Sequence, residues 1–313
     1  MQSTKYLISA IVSAYNCERF IRGCLEDLED QTIFNKIEII VVMTGSEQNE
    51  KAIIYEFQRK FNNIILIETE KRTTLYKAWN IGIAHASGKY LTNANSDDRH
   101  SKDAYAKMSK FLDDNEHIDL VYADSIITET ENETFEKCTP TGFMDHIDFM
   151  DRVTFSIGPH PMWRTRLHEV FGLFDECLEV AGDYEFWMRI AGKCKFGHIK
   201  TRLGLYLRNP ISVERRNYEK TALEVIDVKK RYVNLPDIDL RSKIKLKTGI
   251  SKKYSDLSNY YYKKGKYHQM RAAAFKGLRY NFINFHNYFL ILFSFLLSGF
   301  VKKVKTEPMN FFL

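Results

Sequence analysis

The sequence is poor in cysteine: five in 313 residues, an odd number with no pair at C-x-x-C spacing, which leaves no basis for a disulfide framework or a zinc cluster. Cys17, Cys24, Cys138, Cys177 and Cys194 read instead as buried or incidental thiols of a reducing compartment. A secretory leader is not expected either. The apolar stretch at 7–14 carries serines, has no basic lead-in and runs directly into a loop and helix pattern, so export is not expected. The apolar run at 288–301 has fourteen residues without a charge and would extend ~21 Å as a helix at ~1.5 Å per residue, short of a hydrocarbon core of ~30 Å. Aromatic-interleaved basic grooves and recognised nucleic-acid motifs are lacking, which ranks nucleic acid last among partners.

With 44% hydrophobic and 27% charged residues, the chain is of ordinary globular composition, long enough for one large domain and an appendage. The net charge of +6 conceals an asymmetry. Residues 193–313 hold 26 lysines and arginines against 8 aspartates and glutamates, a net +18, whereas residues 1–192 hold 20 against 32, a net −12. A basic tail on an acidic body points to an anionic partner, either nucleic acid or a membrane surface rich in anionic lipid.

Residues 6–14 form a short Ile- and Val-rich run bounded by Tyr15 and Asn16, the pattern of a buried strand. From 19 to 28 the apolar residues Phe20, Ile21, Cys24, Leu25 and Leu28 recur at helical spacing, and 37–43 is a second buried strand. Helix 51–61, strand 64–68, helix 75–86 and strand 89–92 repeat the alternation. The pattern predicts a doubly wound, mostly parallel α/β sheet. Ligands of such sheets bind beyond the carboxyl ends of the strands, where the polar loops 15–16, 44–46 and 93–100 fall.

After 124 the alternation weakens. Residues 155–163 read as strand or loop leading to a short helix, and 183–191 as an amphipathic helix. Beyond about 208 only basic helical patterns occur, including a hairpin of 254–263 and 267–280 about Gly265. The expected domains are therefore 1–215 and an all-helical extension, 216–313, whose segment 288–301 is either buried or lies in a membrane interface.

The loop 92–100 is crowded with short acidic and amide side chains. Asp97 and Asp98 at a strand end can offer oxygen ligands to a divalent cation, and that cation can bridge the phosphates of a nucleotide diphosphate.

Four segments, SAYNCERFIRGCLEDLEDQT, EIIVVMTGS, AWNIGIAHASGKYLTNANSDD and GPHPMWRTRLHEVFGLFDECLEVAGDYEFWMRIA, occur in the order and approximate spacing of family 2 glycosyltransferases, which the chain resembles over residues 5–208. The resemblance implies the GT-A fold and an inverting transfer of a sugar from a nucleotide-diphosphate donor, with Mg²⁺ or Mn²⁺. It implies a nucleoside pocket at Ala14, Tyr15 and Asn16, with Thr44 and Arg72 beside the base or phosphates and Asn80 near the sugar or diphosphate. Asp97 would be the first metal ligand and Asp98 the second, with Asn95 where the family usually carries an aspartate. Asp183 matches the catalytic base. His160, Trp163 and Trp187 would flank the acceptor, and Arg189 would pair with the base or with phosphate.

Where the family's second strand usually ends in Asp-Asp-Gly-Ser, this chain reads Met43-Thr44-Gly45-Ser46, leaving the choice of nucleotide base open. Two other readings stand beside this one: a catalytically silent binding or scaffold protein, because family carboxylates are replaced, and a nucleotidyltransferase of related fold, whose glycine-rich loop after the first strand is lacking. The implied setting is cytoplasmic and peripheral at the inner face of a cell membrane, with a glycan or lipid-linked glycan acceptor in cell-surface polysaccharide or lipopolysaccharide assembly.

Overall fold

The computed structural model describes residues 5–151, 153–209 and 217–306, with side chains described as far as residue 296. It divides into two compact units, Met1–Ser212 and Val213–Leu313. The boundary expected at residue 215 lies outside the described residues.

The first unit opens with the expected alternation: β1 (Ile8–Ala14), α1 (Glu18–Glu29), β2 (Ile37–Thr44), α2 (Glu50–Gln58), β3 (Ile64–Thr69), α3 (Leu75–His85) and β4 (Tyr90–Asn93). These strands are parallel in the order β3-β2-β1-β4. Burial on both faces explains the unbroken apolar runs, and all eight residues of β2 are buried. Its one charge, Glu38, is accommodated by hydrogen bonds from the Ser9 hydroxyl (2.5 Å) and the Ser87 N–H (2.6 Å). Helix α1 buries Phe20, Ile21, Cys24, Leu25 and Leu28, the five positions picked out by the helical spacing.

The sheet then changes direction. β4 pairs antiparallel with β8 (Met162–Arg164), which pairs antiparallel with β6 (Leu120–Thr128), and β6 runs parallel to β9 (Phe196–Leu207). Short β5 (Arg99–His100) and β7 (Gly142–Met144) add to β9 and β6, completing a nine-stranded sheet. Helices α4 (Ala104–Asp114), α5 (Arg166–Phe171) and α6 (Gly182–Ile190) complete the unit. The ladder β6·β9 has no counterpart in the sequence reading, because the exposed Lys200, Thr201 and Arg202 interrupt β9 and the register shifts between Ala123 and Ser125.

The described part of the second unit is helical throughout: α7 (Tyr218–Val233), α8 (Leu240–Lys263), α9 (Tyr267–Leu278) and α10 (Phe285–Thr306). Gly265, at φ +68°, makes the turn of the α8–α9 hairpin. All five cysteines are free.

Candidate active site

Three loops meet at the carboxyl edge of the parallel strands. After β1, Asn16 takes a left-handed backbone (φ +48°), which its short polar side chain tolerates. Its N–H donates to Ser46 Oγ (3.1 Å), and its Oδ1 accepts from the Glu47 N–H (3.0 Å). Glu50, fully buried at the start of α2, ties the two loops together, with Oε1 accepting from the Cys17 N–H (2.6 Å) and the carboxylate lying 2.7 Å from the Ser46 hydroxyl. Gly45 has φ +52°, and a Cβ there would come 2.4 Å from the Arg72 nitrogen, so only glycine lets the 71–72 segment close in. That approach sets the Arg72 guanidinium 4.2 Å from the centre of the half-buried Tyr15 ring, a contact worth about 0.5–1 kcal/mol. Ala14 and Thr44 are buried beneath this corner, and Tyr15, Asn16, Arg72 and Ser46 form its open surface.

The third loop follows β4. Asp98 is 3% exposed; its Oδ1 accepts from the Leu207 N–H (3.0 Å) and its Oδ2 from Asn95 Nδ2 (2.9 Å). Burial, reinforced by the charge of Asp97, pushes the Asp98 carboxyl up to about 8. Asp97 is half-buried and is also raised, chiefly by desolvation, against the opposing pull of Arg99. Two crowded carboxyls short of compensating charge suit a divalent cation. Among the described residues no group of three or more His, Cys, Asp or Glu side chains could hold a metal by itself. Asp97 and Asp98 could hold an ion such as Mg²⁺ or Mn²⁺, which takes one or two carboxylates and completes its shell with water and substrate phosphates. Asp97 is the better placed donor, because both Asp98 oxygens are already committed within the fold.

Arg99, which the sequence reading passed over, fixes this loop. Its guanidinium is 3% exposed and donates to the carbonyls of Ser96 (2.8 Å), Asp98 (2.5 Å) and Phe20 (3.2 Å) and to Asn132 Oδ1 (2.9 Å). Gly23 makes room for it, since a Cβ there would lie 2.5 Å from Arg99 Nη2. The Cys17 thiol is pushed up to about 12, by burial first and then by the charge of Glu50.

Asp183 sits in the first turn of α6, half-buried, with Oδ1 accepting from the Tyr184 N–H (2.6 Å) and lying 3.1 Å from the Tyr76 hydroxyl. Tyr76 belongs to the first turn of α3, which crosses back from β3 to β4 and so begins at the carboxyl edge of the sheet. The Asp97–Asp98 loop leaves that same edge from the end of β4. Asn80, four residues along α3, is buried and donates to the Phe174 carbonyl (3.0 Å) and Glu176 Oε1 (3.0 Å), while its Oδ1 accepts from the Phe174 N–H (3.0 Å). In the structure it secures the chain leading to Asp183.

Four other expected residues are engaged within the fold. Trp163 and Trp187, 1% and 4% exposed, stack edge to face at 5.3 Å in an aromatic core with Phe174 and Phe186, so neither shows a face to an acceptor. Arg189 pairs with Glu185 and donates to the carbonyls of Phe171 (2.7 Å) and Leu173 (3.0 Å) instead of pairing with the base. His160 is 3% exposed behind the Asp97–Asp98 loop, with Nδ1 3.2 Å from Ser125 Oγ and Nε2 3.7 Å from Asp98 Oδ2, and burial holds it neutral. An aromatic or basic residue close in sequence to a site carries no signal of which way its side chain turns. Glu50, Tyr76 and Arg99 had a faint signal at most, lying beside quoted motifs.

Residues 9–167 match the Glycosyl transferase family 2. The chain is 26% identical over 206 residues to the uncharacterized glycosyltransferase MJ1057 of Methanocaldococcus jannaschii, covering 64% of this chain and 71% of that protein. The S. aureus TarS fragment 1–349 in complex with UDP-GlcNAc has a similar fold (TM-score 0.65, 16% identity, 88% of this chain and 81% of that one). So does the mannosyltransferase PcManGT from Pyrobaculum calidifontis in complex with GDP-Man and Mn²⁺ (TM-score 0.59, 13% identity, 97% and 89%). The chain spans 49% of another crystallised S. aureus TarS chain and, in a 91-residue match, 13% of GlyA of Streptococcus pneumoniae. The matched segment covers the three loops and stops short of Asp183. Over more than half its length, and in a GT-A fold, this chain belongs to glycosyl transferase family 2 and is a glycosyltransferase.

Proposed function

We propose that the protein transfers a sugar from a nucleotide-diphosphate donor to an acceptor hydroxyl with inversion, in cell-surface glycan or polysaccharide assembly at the cytoplasmic face of a membrane. One observation carries the reading. The Asp183 carboxylate is attached through Tyr76 to the α3 turn that opens onto the sheet edge from which the Asp97–Asp98 loop emerges. The solved neighbours, crystallised with UDP-GlcNAc or with GDP-Man and Mn²⁺, support a nucleotide-sugar donor.

In this mechanism Tyr15 and Arg72 receive the nucleotide, and Asp97, backed by Asp98, would hold the cation. When bound, such a cation would supply positive charge to offset the negative charge gained by the leaving diphosphate. Asp183 takes the proton of the acceptor hydroxyl as its oxygen bonds to the anomeric carbon. The bond from that carbon to the diphosphate oxygen breaks on the opposite face, and the nucleoside diphosphate departs with the electron pair.

The test is release of nucleoside diphosphate from UDP- and GDP-sugars, with and without Mn²⁺ or Mg²⁺, for the wild type, Asp183→Asn and Asp97→Asn. Metal-dependent release that falls roughly 10²- to 10⁴-fold in Asp183→Asn, with the donor's thermal shift retained, is expected. A wild type that neither releases nucleotide nor is stabilised by any donor with metal would refute the assignment.

A further inference from the structure

The outer face of α10 is apolar where a surface helix is ordinarily polar. Phe285, Tyr288, Phe289, Leu292, Phe295 and Leu296 are 44–76% exposed, and at ~100° per residue they fall within an arc of about 120°. Asn287, Leu290, Ile291 and Ser294 are buried on the opposite side, where Asn287 bonds Ser255 on α8. The helix thus packs by one face and presents the other, and the patch continues into Phe282 and Ile283 of the preceding turn, 73% and 60% exposed. A soluble surface rarely carries so many contiguous large apolar side chains without a partner.

The charge around the patch selects that partner. Residues 257–306 hold nine lysines and arginines and not one aspartate or glutamate. Arg271 stacks its guanidinium 4.1 Å over the Phe295 ring, so a cation borders the apolar face directly. A second copy of this chain would bring an equally basic surface against the first. A polyanion alone would leave the aromatic side chains wet. Among the described residues no helix is long and apolar enough to cross a membrane, and α10 would lie along the surface for ~33 Å.

We infer that the outer face of α10 docks on an anionic lipid surface, its Phe, Tyr and Leu side chains entering the headgroup–acyl boundary while the flanking lysines and arginines meet lipid phosphates. This gives the membrane location of the proposed function a surface and a lipid chemistry. It rests on that reading only for its purpose, because binding is measured without donor or acceptor. The full chain is sedimented with vesicles of phosphatidylcholine alone and of an equimolar phosphatidylcholine–phosphatidylglycerol mixture. Pelleting with the mixture only, reversed by salt and abolished in Phe289→Ser/Leu292→Ser, is the expected result. Because both side chains are exposed, that variant keeps the wild-type melting temperature; should it not, a Leu292→Trp reporter must shift its emission to the blue with the mixed vesicles. Equal recovery of wild type and double variant would overturn the inference. So would a wild type that is a dimer in sedimentation velocity and a variant that is a monomer, since the patch would then be an interface between copies.

Discussion

His168 makes stability in the first unit sensitive to mild acid, by an amount that follows from its contacts. Its Nε2 lies 3.0 Å from Trp163 Nε1, and the indole nitrogen can only donate, so Nε2 must accept. The single ring proton is therefore on Nδ1, 3.1 Å from the Gly172 carbonyl. The ring stacks on Phe186 at 4.6 Å and is 8% exposed. Protonating it would set an Nε2–H against the Trp163 N–H, and burial lowers the group from its ordinary 6.5 to about 4. Between those values the unfolded chain takes up a proton that the folded chain refuses, so stability falls as the pH falls. At 1.36 kcal/mol per unit, the loss between pH 7 and pH 4 is about 3 kcal/mol. His168→Gln, which cannot titrate, costs stability at pH 7 through lost packing but removes this slope. Urea unfolding followed by tryptophan fluorescence reports on this unit, because Trp79, Trp163 and Trp187 all lie in it. The stability gap between wild type and variant should narrow by about 3 kcal/mol from pH 7 to pH 4. Parallel curves would show that the imidazole already charges in the fold, and the argument would fail.

Arg99→Lys keeps the charge but cannot span four acceptors, so half-saturation by Mn²⁺ should rise roughly tenfold, about 1.4 kcal/mol of lost loop positioning, while excess metal restores part of the rate. Gly23→Ala, whose Cβ intrudes on the same guanidinium, should shift metal half-saturation in the same direction; an unchanged metal curve in both variants, despite a lower melting temperature, would reduce Arg99 to a structural residue. Glu29 is raised to about 7 by burial, so its contribution to stability is fully present below its ordinary 4.5 and is lost as the pH rises through about 7. Glu29→Gln should accordingly stabilise the protein at pH 8, by roughly 1 kcal/mol after allowance for partial solvent screening, and not at pH 4; chemical denaturation at the two pH values decides it.

How far the sequence discloses this molecule depends on whether its signals are local. Strands β1 and β2 are legible because both faces are buried, which forces Ile and Val at nearly every position. Strand β9 is not, because Lys200 and Arg202 point to Asp148 and Asp145 across the surface and break the apolar pattern. Asp97, Asp98 and Asp183 stand out by residue type and neighbourhood. The groups that aim them do not: Glu50 acts on Cys17 33 residues away, and Tyr76 on Asp183 at a separation of 107. Trp163 and Trp187 mislead for the converse reason, being close in sequence to the site but turned into the core.

Helix α3 explains how Asp183, so distant in sequence, can be held to the register of the sheet. Thr74 caps the helix, its Oγ1 accepting from the Lys77 N–H (3.3 Å), which fixes where the first turn begins. Gly82 lets the helix sit directly on β1, since a Cβ there would come 2.6 Å from Ile11 Cγ2. β1 in turn pairs with β4 at Ile11↔Asn93, the last strand residue before the Asp97–Asp98 loop. From the same helix Tyr76 and Asn80, at i and i+4 and hence on one face, reach the segment from Phe174 to Asp183. Asp183 and the Asp97–Asp98 loop are thus referred to one strand by two short chains of packed contacts. A near-attack geometry needs such a common reference, because a displacement of ~1 Å between the two can cost ~10²-fold in rate.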